Sequence, residues 1–361
     1  MKATQRLHNL GQSIWLDNIT RDLLDSGTLS RYISELSVTG LTSNPTIFDH
    51  AIKNSSAYDQ AILRGAQQGR SGEELFFDLA IEDLVRAADL LRPIFNMSNG
   101  VDGWVSLEVS PLIAYDTATT VIAAQELYAR AERPNIFIKI PGTREGLPAI
   151  EEAIFSGVPV NVTLLFSEEQ YLAAAGAYTR GIERRIDAGL NPHVGSVASV
   201  FISRWDTAVA GKVPTELNNR LGIAMANRIY KAYRNLLSSP RWQSAFSSGA
   251  RPQRLLWAST GTKDPKISDD YYVKALAAPF TVNTMPELTL KALADHGQLG
   301  SIMAFDEGAS EVVVNEFIKA GIDVDSLATR LQTEGAESFV KAWTDLMAVI
   351  QSKSAALEQV A

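Results

Sequence analysis

Cysteine is absent, which excludes thiol nucleophiles, disulfides and thiolate-ligated metals. Histidine is scarce. His8, His50, His193 and His296 are all there are, and their spacing forms no zinc-ligand motif. Metal-assisted hydrolysis therefore fits poorly. No Gly-rich phosphate loop of the nucleotide-binding type occurs. Basic runs are also missing, and 41 Asp and Glu outnumber 33 Lys and Arg, for a net charge of -8. Nucleic acid is thus a poor partner, and any phosphate would have to be held by a few local cations. No apolar run approaches membrane-spanning length, and the opening residues MKATQRLHNLGQ lack the apolar core of a signal peptide. No membrane association is expected, and the cytoplasm is the default compartment. What remains is 361 residues, 46% hydrophobic and 20% charged, enough for a sizeable core. Length alone suggests two domains, but an α/β barrel with additions reaches this size as one.

Eight β-prone segments recur along the chain: SIWLDN (13–18), SVTGLTSNP (37–45), WVSLEVSP (104–111), NIFIKIPG (135–142), VPVNVTLLFS (158–167), HVGSVASVFISR (193–204), RLLWASTG (254–261) and FTVNTMPE (280–287). Helix-patterned sequence follows each of them. Asn44 can cap a helix that opens on Pro45. The long amphipathic run 72–95 is expected to end near Pro93, and Ser167 can cap the helix that follows it. Residues 205–250 read as a helical insertion. Strand–helix alternation argues a parallel sheet with crossover helices. Eight units argue closure into a (β/α)8 TIM barrel over residues 1–361. Beyond the eighth unit, 309–322 and 336–359 read as added helices that pack on the barrel and over one end.

One of these strands, NIFIKIPG, carries a lysine among apolar neighbours. An ordinary lysine has a pKa of about 10.4, so roughly one in a thousand is neutral near pH 7.4. Desolvation disfavours the charged form, and a neutral amine attacks a carbonyl carbon to give a Schiff base. The alternative is a Lys139 that snorkels to the surface at a strand end. Other polar residues also fall late in apolar strands: Asp17, Thr42 and Asn44, Glu108, Asn161 and Thr163, Ser199 and Arg204, and Ser259. Strand ends of a barrel converge on the face that carries the active site, so these side chains would share one pocket. Each has a structural alternative. Asp17 could cap the helix TRDLL, Glu108 could pair with a surface arginine, Asn44 could be only a helix cap, and Asn161 could satisfy a buried turn. A cluster across five or six strands nevertheless needs a reason, because unpartnered buried polar groups are costly. The set suggests carbonyl chemistry: a lysine that forms an imine and two carboxylates that move protons. A pyridoxal enzyme would also need a lysine imine, but no supporting signature is present.

The segments WLDNI (15–19), GLTSNPTIF (40–48), VSLEV (105–109), FIKIPGT (137–143), NVTLLFS (161–167), SVFISR (199–204), LWASTGTKDP (256–265) and TVNTMPE (281–287) together resemble transaldolase. The closer resemblance is to the longer bacterial branch with WASTG-x-K and NTMPE segments, and it runs in order over nearly the whole chain. It implies a class I aldolase barrel of the pentose phosphate pathway with neither metal nor organic cofactor. The substrates it implies are sugar phosphates: sedoheptulose 7-phosphate, fructose 6-phosphate, glyceraldehyde 3-phosphate and erythrose 4-phosphate. By position it makes Lys139 the Schiff-base lysine, Asp17 the acid/base at the C4 hydroxyl, and Glu108 the proton shuttle acting through a water held by Thr163. It gives Asn44 and Asn161 to the hydroxyls of the three-carbon fragment, with Thr42 beside them. Ser199 would help hold that fragment, Phe201 would shape the pocket, Arg204 would serve the substrate phosphate, and Ser259 would be among the substrate-binding residues. One departure stands out. The better-known transaldolases carry an arginine two residues after the serine, whereas this chain has Gly261 there and Lys263 two residues later, the substitute cation. A surface charge is the alternative for Lys263. The nearest rival is a fructose 6-phosphate aldolase releasing free dihydroxyacetone. Those enzymes resemble this chain but place a glutamine where it has Glu108. A non-catalytic sugar-phosphate-binding barrel is the other rival. A monomer or a homodimer is expected.

Overall fold

Eight parallel strands close into a barrel in chain order in the computed structural model of the protein, which describes residues 1–303 and 308–360. They are β1 (Ser13–Asp17), β2 (Val38–Thr42), β3 (Trp104–Glu108), β4 (Ile136–Pro141), β5 (Val160–Leu165), β6 (Ser196–Phe201), β7 (Arg254–Ala258) and β8 (Val282–Met285). β8 returns to pair with β1, from Ser13 opposite Val282 to Leu16 opposite Met285. The expected (β/α)8 barrel is what the chain forms.

The apolar strands conceal a division between their two faces. Ile14, Leu16, Leu41, Val105, Leu107, Ile136, Ile138, Ile140, Val160 and Val162 join the core between strands and helices. The alternate residues Trp15, Trp104, Phe137, Val197, Leu256 and Val282 form a second cluster inside the barrel. Trp104 stacks on Phe137 with ring centroids 4.0 Å apart, and Trp15 lies 6.1 Å from Phe137. Two glycines make room for these rings. A Cβ on Gly40 would stand 2.6 Å from the Trp15 ring, and one on Gly195 would stand 2.8 Å from Trp104.

Beneath the aromatic layer a polar network seals the N-terminal end of the barrel. Asp102 accepts hydrogen bonds from Trp15 Nε1 at 2.8 Å and from the Ser13 hydroxyl. Arg254 donates to Ser13 Oγ at 2.7 Å, to the Thr281 carbonyl at 2.9 Å and to the Val101 carbonyl at 3.0 Å. The opposite end is left open for a site.

Several boundaries differ from the sequence reading. The long helix does not end at Pro93 but runs Gly72–Met97. A proline this close to a C-terminus removes only one interior hydrogen bond, and the left-handed residues Asn99, at φ +51°, and Gly100, at φ +76°, end the run instead. The 205–250 stretch is not an insertion. Its helix Leu221–Ser238 packs on the helix Glu168–Asp187 as the sixth unit's crossover. Arg204 is not part of β6, because it lies in the helix Ser203–Val209. The added C-terminal helices are Ala309–Lys319 and Val324–Val360. The second begins well before residue 336 because Asp323 caps it, accepting from Ser326 N at 3.0 Å and Ser326 Oγ at 2.7 Å. It packs on the helices Pro45–Asn54, Asp59–Gln67 and Gly72–Met97 and crosses the end of β5.

Because Asp102 gathers buried donors from Trp15 and Ser13, its removal strands both. Asp102→Ala should lower the unfolding free energy by about 3–5 kcal/mol, as read by urea denaturation. A loss below about 1 kcal/mol would show that the network is solvated.

Candidate active site

A cavity of about 700 Å³ opens at the C-terminal end of the barrel. Asp17, Thr42, Asn44, Lys139, Thr163, Ser199, Phe201, Arg204, Ser259 and Lys263 all line it. Glu108 and Asn161 do not. They lie beneath it and reach it through partners.

Lys139 is the junction. In the parallel register it sits opposite Glu108 of β3 on one side and Asn161 of β5 on the other. Its Nζ donates to Glu108 Oε2 at 3.1 Å and to the Ser43 carbonyl at 3.0 Å. The two side chains are only 6% and 5% exposed, so this is a buried ion pair and not a snorkelling lysine. Gly142 is needed just beyond it, since a Cβ there would stand 2.5 Å from Leu165 Cδ2.

The carboxylates sit in different surroundings. Thr42 Oγ1 donates to Asp17 Oδ1 at 2.7 Å and lies 2.7 Å from Thr284 Oγ1, so Thr284 supplies the hydrogen to Thr42. Burial pushes the Asp17 carboxyl above its ordinary pKa, against the opposing pull of Lys139 and the Thr42 hydroxyl. Burial likewise pushes Glu108 up, with Asp17 adding to the rise, while Lys139 and, more weakly, Arg204 oppose it. Both are stronger bases than surface carboxylates. Asp17 caps no helix, because Thr20 caps Arg21–Asp25 through Leu23 N at 3.0 Å. Glu108 pairs with Lys139 and not with a surface arginine. Its other oxygen, Oε1, and Thr163 Oγ1 are buried without a hydrogen-bond partner among the described residues.

The amides divide similarly. Asn44 is a helix cap, accepting from Ile47 N at 3.1 Å, yet it also lines the cavity. Asn161 donates to Ser106 Oγ at 3.1 Å and accepts from Ser199 Oγ at 2.6 Å, which fixes the amide's orientation beneath Ser199.

The cations gather on the side of β6 and β7. The Arg204 guanidinium lies 4.9 Å from the Phe201 ring centre and 5.9 Å from that of Phe339. It forms no ion pair among the described residues, and burial holds its pKa below the ordinary guanidinium value. Lys263 is exposed at the cavity rim. It does not pair with its neighbour Asp264, which is taken by Asn219 Nδ2 at 2.9 Å and Lys266 N at 2.9 Å. Ser259, with φ +55°, places its hydroxyl 2.9 Å from that of Ser203.

The sequence reading missed Ser43, Ser106, Thr284, Ser338 and Phe339. Thr284 was within reach, as an inward residue of TVNTMPE. Phe339 and Ser338 come from the terminal helix, some two hundred positions from Lys139, and no local pattern marks them. No described helix is long and apolar enough to cross a membrane.

A transaldolase from Thermobifida fusca is 43% identical over 361 residues, covering 98% of each chain. One from Thiobacillus denitrificans is 42% identical, covering 97% of this chain and all of its own. One from Acidothermus cellulolyticus is 42% identical over 94% of each. A family model described as transaldolase/fructose-6-phosphate aldolase matches residues 14–350. With a Lys139-centred pocket at the barrel mouth and relatives aligned from end to end, the chain belongs to the transaldolase/fructose-6-phosphate aldolase family.

Proposed function

We propose that the protein transfers a dihydroxyacetone unit between sugar phosphates as a transaldolase of the cytoplasmic pentose phosphate pathway. The donor is sedoheptulose 7-phosphate or fructose 6-phosphate, and the acceptor is glyceraldehyde 3-phosphate or erythrose 4-phosphate. The observation that carries this reading is the buried Lys139–Glu108 pair at the base of a cavity that also holds Asp17.

Lys139 passes a proton to Glu108, which burial has made a stronger base. The free amine attacks the C2 carbonyl of the ketose phosphate. Glu108 returns the proton, through a water held by Thr163, as the C2 oxygen leaves as water and the protonated imine forms. The unpaired Glu108 Oε1 and Thr163 Oγ1 support this assignment, since each needs a partner. Asp17 then takes the proton of the C4 hydroxyl. The C3–C4 electrons flow into the imine, an aldose phosphate departs, and a bound enamine remains. An incoming aldose phosphate reverses the step, and Asp17 returns the proton to the new hydroxyl. Asn161 and Ser199 bind the three-carbon fragment with Asn44. Arg204, Lys263 and Ser259 hold the phosphate, and remote binding of this kind supplies orientation at the reacting bond. Glu108 favours transfer over the aldolase alternative, because the dihydroxyacetone-releasing relatives carry a glutamine there.

Borohydride added with fructose 6-phosphate should fix a three-carbon adduct on wild-type protein and none on Lys139→Ala. A wild-type protein without added mass would make this a binding barrel, and a Lys139→Ala variant that still turns over would remove Lys139 from the chemistry.

Arg204→Ala and Lys263→Ala should lower kcat/KM for phosphorylated donors about ten- to a hundredfold, the effect of losing a hydrogen bond to a charged group. Unphosphorylated fructose should be affected much less. Equal losses for both donors would show that neither cation reads phosphate.

The pH profile tests Asp17. Its ionised form is the base, so activity falls as pH drops through its raised pKa. Thr42 lowers that pKa by donating to the carboxylate. Thr42→Val should therefore move the acid limb of kcat/KM to higher pH. An acid limb that stays in place, or moves down, would separate it from Asp17.

A further inference from the structure

We propose that Gln332, which lies outside the cavity lining, is a positioning residue that holds Thr163 in place for imine formation. The proposal rests on the Schiff-base reading above and deepens it.

Thr163 makes no side-chain hydrogen bond among the described residues, so its hydroxyl is aimed by the backbone alone. That backbone is irregular. β5 and β6 pair in step through Val162 opposite Ala198, then resume at Leu165 opposite Val200. Thr163 and Leu164 thus face the single residue Ser199 as a bulge, a device that re-aims a side chain. Leu164 has φ +61°, a left-handed conformation unfavourable to a residue with a branched side chain. Relaxation of such a bulge slips the register by one and turns the next side chain to the opposite face. Here that would shift the backbone that carries the Thr163 hydroxyl, which lines the cavity.

Gln332 opposes this relaxation. Its Nε2 donates to the Leu164 carbonyl at 2.9 Å and to the Gly142 carbonyl at 3.0 Å. Both partners are acceptors only, so the amide has one possible orientation. The same nitrogen therefore ties the end of the Lys139 strand to the bulge beside Thr163. Gly142 N in turn donates to the Thr163 carbonyl at 2.8 Å. The terminal helix also holds the Leu164 side chain. That side chain is fully buried, and a Cβ at Gly335 would stand 2.9 Å from Leu164 Cδ2.

Gln332→Met keeps the shape and removes both donors, and Gln332→Glu replaces them with acceptors. The rate of adduct formation on Lys139 is measured by mixing full-length protein with fructose 6-phosphate and quenching with borohydride at timed intervals. Both variants should slow it about ten- to a hundredfold, as small misplacements of catalytic groups do, while half-saturation by fructose 6-phosphate stays within about twofold. The discriminating arm is a double-mutant cycle. In a Thr163→Ala background, the Gln332 substitutions should cause no further slowing. Factors that multiply in the double variants, or an unchanged rate in the single ones, would overturn the proposal and leave Gln332 a staple for the helix. Wild-type protein that forms no adduct would instead overturn the Schiff-base reading itself.

Discussion

Asp17, Glu108 and Lys139 are gathered at the base of one cavity, and the surrounding structure answers the cost of burying them. A buried charge without a partner costs several kcal/mol, about the margin by which a domain is stable. Lys139 meets that cost with Glu108 and a backbone carbonyl, and Asp17 meets it with a threonine that a second threonine orients in turn. Below them, Trp15, Trp104 and Phe137 form an apolar floor. That floor separates the reacting charges from the Asp102–Arg254 network, so the two ends of the barrel carry polar groups with different tasks. One network is closed and its donors are matched. The other keeps Glu108 Oε1 and Thr163 Oγ1 buried and without a hydrogen-bond partner among the described residues.

Much of this was legible in the sequence because a barrel imposes two local rules. A strand covered on both faces reads as an apolar run, and a polar side chain late in such a run must point into the mouth. Lys139, Asp17, Thr163 and Ser199 obey both rules and line the cavity, whereas Glu108 and Asn161 lie beneath it. Arg204 was assigned to a strand end because SVFISR reads as one β-prone stretch, yet the helix begins at Ser203. Helices that pass Pro93 and Gly335 were cut short, because each residue disfavours an isolated helix while its tertiary setting tolerates it. Gly335 is the clearer case: a side chain there would meet Leu164 and, at 3.1 Å, the Arg204 guanidinium.

The terminal helix was the least legible part, although its amphipathic pattern was plain. A stripe of residues at helical spacing ordinarily means core, and Leu331, Ala336 and Trp343 are core. The same stripe contributes Gln332 to the Leu164 and Gly142 carbonyls and Phe339 to the cavity, while Trp343 Nε1 donates to Glu73 Oε1 at 2.8 Å. Periodicity specifies that a face is buried and says nothing of what it is buried against. That information lies in contacts spanning up to two hundred and seventy positions, which only the closed fold brings together.

The glycine at 261 has a physical account of the same kind. A Cβ at Gly261 would lie 3.1 Å from Pro286 Cγ, a rigid ring that precedes the helix Glu287–His296. Any side chain at 261 would crowd that ring, whereas Lys263, further along the loop, stands exposed at the cavity rim. The exchange is not neutral in geometry. Lysine is a hydrated point charge on a flexible stem, whereas a guanidinium presents a fixed fork. The Arg204 guanidinium lies against the rings of Phe201 and Phe339 and forms no ion pair among the described residues. Of the two cations, then, Arg204 is the one set against packed rings, and Lys263 is the one exposed at the cavity rim.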